Sequence, residues 1–171
     1  MPKVLLFGKP KSGKTTLVKK VLAELPKNSY GGFWTEEIKE QEERVGFKVV
    51  TTEGEEGILA HKDYRSPYRV SKYYVNVTDF ERVALKTLDN AEKSKDLIVI
   101  DEIGKMELFS QKFAQVIEKI FANKHKKVLA TIPISNIPLI EKLKKLPDAT
   151  VMEVTPANRD FLATKILKLI K

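Results

Sequence analysis

The segment that most constrains this chain is a loop motif made of Gly8, Lys9, Pro10, Lys11, Ser12, Gly13, Lys14 and Thr15. Its glycines, lysine and threonine have the spacing of a phosphate-binding loop. The apolar run 4–7 before it is typical of a buried strand, and the apolar residues of 17–25 after it lie on one helical face until Pro26. A glycine loop between a strand and a helix indicates a site for a nucleoside triphosphate.

The residue types in this loop have a physical reason. Gly8 and Gly13 allow the backbone to curl so that successive N–H groups point at phosphate oxygens. A helix that begins near Lys14 adds its free N–H groups and the positive end of its dipole. We expect Lys14 to bind the β and γ phosphates, the Thr15 hydroxyl to bind Mg²⁺, and Thr16 to lie in the same site.

Length and composition limit the alternatives. The 171 residues suit one domain spanning 1–171, because two domains of ordinary size need more chain. The chain has no cysteine, and its two histidines, His61 and His125, are far apart, so a metal would be held by oxygen. No apolar run approaches the roughly 20 residues that span a bilayer, and the N-terminus enters a strand directly. We therefore expect a soluble, cytoplasmic protein with no membrane segment.

The net charge of +8 is unevenly distributed along the chain. Residues 112–171 hold 12 Lys/Arg and 5 Asp/Glu, a balance that suits either nucleic acid or an anionic nucleotide. The basic residues lack the interleaved aromatics of a single-strand-binding groove, so we favour a solvated lysine surface. No feature specifies an oligomeric state or a preferred base.

The order of predicted elements indicates an α/β fold. Strands at 97–100, 128–132 and 150–154 alternate with amphipathic helices, and their continuous apolar runs favour burial on both faces of a parallel sheet. Between the first helix and this region, the short β-rich segments 32–35, 46–51, 57–60 and 73–77 are separated by charged or glycine-containing turns, which predicts an antiparallel meander.

Helix starts follow from capping residues. Thr78-Asp79-Phe80-Glu81 has the pattern of a capping box, and Ser110 precedes an amphipathic run. Thr155 followed by Pro156 predicts the start of the last helix. The cationic, amphipathic character of that helix suits either a membrane surface or docking on the core, and we favour the core.

An acidic pair later in the chain supplies carboxylates, which the phosphate loop does not contain. Residues 97–100 form an apolar strand that ends in Asp101 and Glu102, which is the Walker B arrangement. Because parallel strands open at one sheet edge, we expect Asp101 to reach the Mg²⁺ site and Glu102 to take a proton from an attacking water. Gly104 and Lys105 follow, so Lys105 is either a further cation for the phosphates or a surface lysine.

These segments together resemble a known family, the nucleoside-triphosphatases of thermophilic prokaryotes that are related to the cancer-related nucleoside-triphosphatase of animals. The matching residues are the loop 8–15 and the segments 32–38, 44–47, 101–107 and 158–160. The resemblance covers essentially the whole chain. It implies a three-layer P-loop fold and Mg²⁺-dependent hydrolysis of several nucleoside triphosphates, ATP and GTP among them. It also implies that the nucleotide site is lined by Asp101, Glu102, Ile103, Gly104, Lys105, Met106 and Glu107.

Phosphoryl transfer often uses an arginine to stabilise charge. Arg44, in a turn of the meander, and Arg159, near the start of the last helix, are the two candidates. Trp34 suits either stacking on a base or packing at the sheet, and we favour packing.

We therefore predict a Mg²⁺-dependent nucleoside-triphosphatase in which Lys14 and Glu102 are catalytic. Two alternatives remain at this point. The first is a nucleotide or small-molecule kinase whose acceptor binds to residues 30–77, and the second is a nucleotide-gated module that binds nucleic acid through its basic C-terminal half.

Overall fold

A single nine-stranded sheet organises the protein in this computed structural model, which describes residues 1–171. Its strands are, in chain order, β1 (Lys3–Phe7), β2 (Tyr30–Glu40), β3 (Glu43–Thr51), β4 (Glu56–His61), β5 (Arg69–Val70), β6 (Tyr73–Val75), β7 (Leu97–Ile100), β8 (Lys127–Ile132) and β9 (Ala149–Glu153). The helices are α1 (Lys14–Ala23), α2 (Val77–Ser94), α3 (Gln111–Ala122), α4 (Pro138–Lys144) and α5 (Arg159–Ile170), with a short 3₁₀ turn at Glu107–Phe109.

The sheet has the order β5-β6-β4-β3-β2-β7-β8-β1-β9. Strands β2, β7, β8, β1 and β9 pair in parallel, and the remaining pairings from β2 to β5 are antiparallel. Residues 30–33 of β2 pair with β7, while residues 33–40 pair with β3. Strand β2 therefore belongs to both the parallel and the antiparallel part of the sheet. The predicted α/β fold, a mostly parallel sheet flanked by helices with an inserted antiparallel meander, is confirmed.

Helices cover both faces of the sheet. Val4 and Leu6 of β1 pack with the apolar residues of α1 and α5, whereas Leu5, which points to the opposite face, packs with those of α2, α3 and α4. This alternation is the period of a strand, and it explains why β1 is apolar without interruption. Each fully buried aliphatic side chain contributes roughly 1.5–3 kcal/mol relative to exposure.

Two helix starts differ from the prediction. Helix α2 begins at Val77 because the Asn76 side chain, not that of Thr78, accepts the Asp79 N–H at 3.0 Å. Helix α5 begins at Arg159 instead of Pro156. There, Thr155 and Asn158 bind each other's backbone N–H groups through their side chains, which stabilises a turn ahead of the helix. The predicted Ser110 cap of α3 is confirmed, since its hydroxyl accepts the Phe113 N–H at 3.0 Å.

The parallel strands β1, β7 and β8 end at one edge of the sheet, and the loops that follow them come together there. None of the helices combines the length and the apolar character that crossing a membrane requires.

Candidate active site

The loop after β1 curls back over the start of α1. Gly13 has a positive φ of 96°, and a Cβ atom at this position would lie 2.5 Å from a guanidinium nitrogen of Arg159. The backbone conformation therefore requires glycine, and the Arg159 side chain packs directly on the space that a Cβ atom would occupy. The Gly13 carbonyl accepts the Leu17 N–H at 2.9 Å, so α1 starts directly at the end of the loop.

The loop and the acidic pair meet through Thr15 and Asp101. The Thr15 hydroxyl donates to one Asp101 oxygen at 2.6 Å, and the Thr131 hydroxyl of β8 donates to the other at 2.6 Å. Asp101 is only 2% exposed. Burial raises the pKa of Asp101 to about 6, because desolvation of the carboxylate outweighs the two hydroxyl hydrogen bonds.

A second contact joins the same two segments. The Lys14 ammonium lies 3.2 Å from a Glu102 carboxylate oxygen and donates to the Gly8 carbonyl at 3.1 Å. Lys14 is also 3.4 Å from the Ile132 carbonyl at the end of β8. Three chain segments therefore orient the lysine toward one point, and the acid next to it is partly open to solvent.

Glu107 brings a third carboxylate to this region. A Cβ atom on Gly104 would lie 2.7 Å from one oxygen of Glu102 and 2.8 Å from one oxygen of Glu107, so both carboxylates lie against this glycine and would have to shift for a larger residue. Glu107 is 5% exposed. Burial, together with the nearby charge of Glu102, raises the pKa of Glu107 well above its ordinary value.

An open cleft of about 530 Å³, which we call the acidic cleft, contains most of these groups. Its walls include Gly8, Pro10, Lys11, Lys14, Thr15, Asp101, Glu102, Lys105, Met106 and Glu107. On the other side of the loop lies a smaller cleft of about 320 Å³, lined by Lys11, Gly13, Lys14, Thr15, Thr16 and Arg159, which we call the cationic cleft.

Some of the predicted residues lie elsewhere. The Lys9 side chain is exposed and lines neither cleft, while Ser12 is buried beneath the loop. Ile103 is fully buried in the apolar core, and its N–H binds the Thr131 carbonyl at 2.9 Å. Gly104 is buried between the two glutamates. None of these four residues lines either cleft.

The two candidate arginines differ in their partners. Arg44 lines the acidic cleft, donates to Tyr73 at 2.9 Å and to Glu37 at 3.2 Å, and lies over the Phe47 ring. Its pKa is raised, first by the hydrogen bond to Tyr73. Arg159 lines the cationic cleft, and its guanidinium makes no hydrogen bond or ion pair.

Sequence motifs alone did not assign several lining residues of the acidic cleft to the site. They come from β2, β3, β4 and the end of β8, and they are Thr35, Glu36, Glu37, Phe47, Leu59, Pro133 and Ile134. Pro133 follows a parallel strand, so the rule that located Asp101 applies to it equally. For Leu59 no local signal exists, because strand pairing alone brings it to the site. Trp34 packs against the core instead and donates to Glu36 at 2.8 Å.

Known proteins share this architecture and these segments. Residues 3–167 match the model of the NTPase family. A nucleoside-triphosphatase THEP1 of Thermotoga maritima is 52% identical over 169 residues, covering 99% of this chain and 95% of that protein. The cancer-related nucleoside-triphosphatase of Homo sapiens is 38% identical over 183 residues, covering 98% and 96%. The crystal structure of THEP1 from Aquifex aeolicus is similar with a TM-score of 0.92 at 43% identity, covering 99% of each chain. The chain therefore belongs to the NTPase family.

Proposed function

We propose that residues 1–171 form one enzyme domain that hydrolyses several nucleoside triphosphates to diphosphate and phosphate, with Mg²⁺ as cofactor. The observation that carries the proposal is the pair of contacts between the loop and the acids, Thr15 to Asp101 at 2.6 Å and Lys14 to Glu102 at 3.2 Å. Family membership supports the same activity, because the relatives described above are named nucleoside-triphosphatases.

The donor set around Asp101 fits Mg²⁺. Hydroxyl and carboxylate oxygens are the ligands that this cation prefers, and Thr15 and Asp101 present both kinds within 2.6 Å of each other. Asp101 takes part in no ion pair although it is almost fully buried. We therefore assign Thr15 and Asp101 as the protein ligands of Mg²⁺, which when bound would supply neutralisation of charge on the β and γ phosphates.

The other groups of the site have separate roles in hydrolysis. The loop N–H groups and the Lys14 ammonium hold the phosphates. Glu102 accepts a proton from the water whose oxygen attacks the γ phosphorus, and the bond from that phosphorus to the bridging oxygen of the diphosphate breaks. The position of Glu102 beside Lys14, open to solvent at 27% of its side chain, supports this role, because the attacking water has access to it.

The test is phosphate release from ATP, GTP, CTP and UTP, each with Mg²⁺ and with EDTA. We expect release from all four triphosphates with Mg²⁺ and loss of release in EDTA. Release from one triphosphate only contradicts the broad base specificity, and release that persists in EDTA contradicts the metal requirement. No release from any of them contradicts the activity itself.

A second candidate, phosphoryl transfer to an organic hydroxyl, is favoured by one observation. A polar cleft of about 350 Å³, lined in part by Lys39, Lys72 and Tyr73, adjoins the acidic cleft through Lys11 and Glu37. Such a cleft suits a polar acceptor. Labelled γ-phosphate supplied with candidate nucleosides distinguishes the two reactions, because label that enters an organic product faster than free phosphate identifies a kinase.

A further inference from the structure

The phosphate loop has a different surface on each side. The acidic cleft holds the carboxylates Asp101, Glu102 and Glu107, whereas no carboxylate and no apolar side chain lines the cationic cleft. Lys14 reaches the β and γ phosphates in proteins with this loop, and the backbone N–H groups hold the α and β phosphates. If the γ phosphate lies beside Glu102, as the proposed function requires, the nucleoside has to leave the loop on the side of the cationic cleft.

Arg159 is the one arginine of the chain whose guanidinium has no partner. The other four donate hydrogen bonds to side chains or carbonyl oxygens, namely Arg44, Arg65, Arg69 and Arg82. The Arg159 side chain is nevertheless partly buried. A guanidinium has five donors in one plane, so a partly covered guanidinium without an acceptor is available to a ligand.

The position of Arg159 is set by its neighbours on both sides. Before it, the Asn158 side chain donates to the Glu153 carbonyl at 2.9 Å and accepts the Thr155 N–H at 2.9 Å. After it, Asp160 forms an ion pair with Lys20 of α1. These contacts hold the start of α5 against α1, and they place the Arg159 side chain directly on Gly13.

We infer that Arg159 stacks its guanidinium on the face of the nucleobase and is the residue that binds the nucleoside end of the substrate. This inference rests on the proposed function. The guanidinium is the only planar side chain that lines the cationic cleft. Arginine stacks on aromatic faces, and every nucleobase offers such a face. Contact with the face does not read the hydrogen-bonding edge, so this residue accounts for binding of several bases.

The experiment compares the affinities of Arg159→Ala and the wild type for nucleotides and for inorganic tripolyphosphate, which lacks a nucleoside. Titration calorimetry with Mg²⁺ uses the β,γ-imido analogues of the four triphosphates. We expect affinity for the ATP and GTP analogues to fall about tenfold. The affinity for the CTP and UTP analogues should fall less, because a pyrimidine offers a smaller face for stacking. Tripolyphosphate affinity is unchanged, and steady-state turnover shows a higher KM with little change in kcat.

Two further variants serve as controls. Arg69→Ala removes an exposed arginine from β5, at the opposite edge of the sheet, and should bind every ligand like the wild type. Arg159→Lys keeps the charge but loses the plane, so it should recover only part of the nucleotide affinity. Unchanged melting temperatures for all three variants ensure that the effect is local.

Three outcomes overturn the inference. Unchanged affinity of Arg159→Ala for all nucleotides removes the residue from the site. An equal loss for tripolyphosphate assigns Arg159 to the phosphates, and a fall in kcat without a change in KM assigns it to the transition state. Because the titrations measure binding, a wild type that binds the analogues but releases no phosphate contradicts the proposed hydrolysis and leaves the assignment of Arg159 standing.

Discussion

Lys3 and Asp101 are both buried and ionisable, and they lie at opposite ends of the parallel strands. Lys3, at the start of β1, has no exposed surface. Its ammonium donates to the carbonyls of Met1, Asn123 and Lys126 at 3.1, 3.1 and 2.7 Å, and it lies 3.3 Å from the Asp148 carboxylate. Three donors have three carbonyl acceptors and a countercharge, so this end of the sheet satisfies the buried charge completely.

At the other end, Asp101 has two hydroxyl donors and no cation as partner. Glu107 lies beside Glu102 without compensation by an ion pair, and burial raises the pKa values of both Asp101 and Glu107. Uncompensated buried charge is therefore confined to one end of the parallel strands. The Lys3 end contributes stability, whereas the Asp101 end keeps uncompensated acids where a cation and a phosphate chain are proposed to bind.

The largest effect that we expect is on turnover at the Asp101 end. Glu102→Gln keeps the shape of the side chain but cannot accept the proton of the attacking water. Turnover should fall on the order of 10²-fold or more, while nucleotide affinity and stability change little. Phosphate release and calorimetric titration measure the two quantities. Glu56→Gln, an exposed acid on β4, is the control, and wild-type turnover in Glu102→Gln would remove Glu102 as general base.

At the Lys3 end, substitution should affect stability instead. Lys3→Met removes the ammonium and leaves three carbonyls and Asp148 without their partner. We expect the free energy of unfolding to fall by about 3 kcal/mol, at the low end for a buried pair because Asp148 is 36% exposed. Urea unfolding measures the loss, with the exposed Lys27→Met as control. The comparison fails if Lys3→Met is as stable as the wild type or if its folded fraction loses turnover.

In the metal-free protein, the free energy of unfolding should depend on pH through Asp101. Asp101 has a pKa of about 6 when folded against 3.8 as its ordinary value, so the folded state binds the proton more tightly. The contribution of Asp101 to stability is therefore present below pH 4 and is lost as pH rises through 6. Relative to Asp101→Asn, the wild type should lose about 2 kcal/mol between pH 4 and pH 7.

Urea unfolding in EDTA across this pH range checks the sign. The difference from Asp101→Asn cancels the contributions that both proteins share, among them the lowered pKa values of Glu36 and Asp160, which change stability in the opposite direction. It reports Asp101 together with its repulsion of Glu107, which helps to raise the pKa of Glu107. The exposed Asp63→Asn should show no such trend. A difference that stays constant with pH, or grows in favour of the wild type, contradicts the account of a strained acid.

The smallest effect is expected at Ser12. Its hydroxyl is buried without a hydrogen-bond partner, in the loop at the Asp101 end. Ser12→Ala removes the unsatisfied group, so it should leave stability unchanged or raise it by about 1 kcal/mol. Thermal unfolding measures the change. A loss of stability would mean that the hydroxyl has a partner and that this part of the loop is as well satisfied as the surroundings of Lys3.

Local patterns were sufficient for the elements that bear the chemistry. The strand, glycine loop and helix of residues 3–23 follow from spacing and apolar periodicity, and Asp101 follows from its place after an apolar strand. Capping was less certain. Asn76 and the turn from Thr155 to Asn158 depend on which of several competing side chains binds the backbone, and that choice is made by the packed chain.

Local sequence patterns did not predict how residues from distant segments are placed relative to one another. The burial of Glu107 is set by how the 3₁₀ turn packs against the rest of the chain. The residues next to Glu107 in the sequence do not predict that its pKa is raised. The two candidate arginines had equal standing in the sequence, yet Arg44 is bound by Glu37 and Tyr73 while Arg159 lies free on Gly13. Contacts with residues outside the local sequence, Tyr73 for Arg44 and Gly13 for Arg159, decide this difference.

The fold class, the glycine loop and the acid pair could be predicted from the sequence alone, because they depend on spacing within a few residues and on the geometry that parallel strands share. Which charges are compensated could be seen only in the folded chain, since that depends on atoms brought together from distant segments. Lys3 meets three carbonyls and a carboxylate, and Asp101 meets two hydroxyls and no cation. The same physical rule, that burial disfavours an unpaired charge, is satisfied at one end of the sheet by compensating partners and leaves uncompensated acids at the other, where we propose that a cation binds.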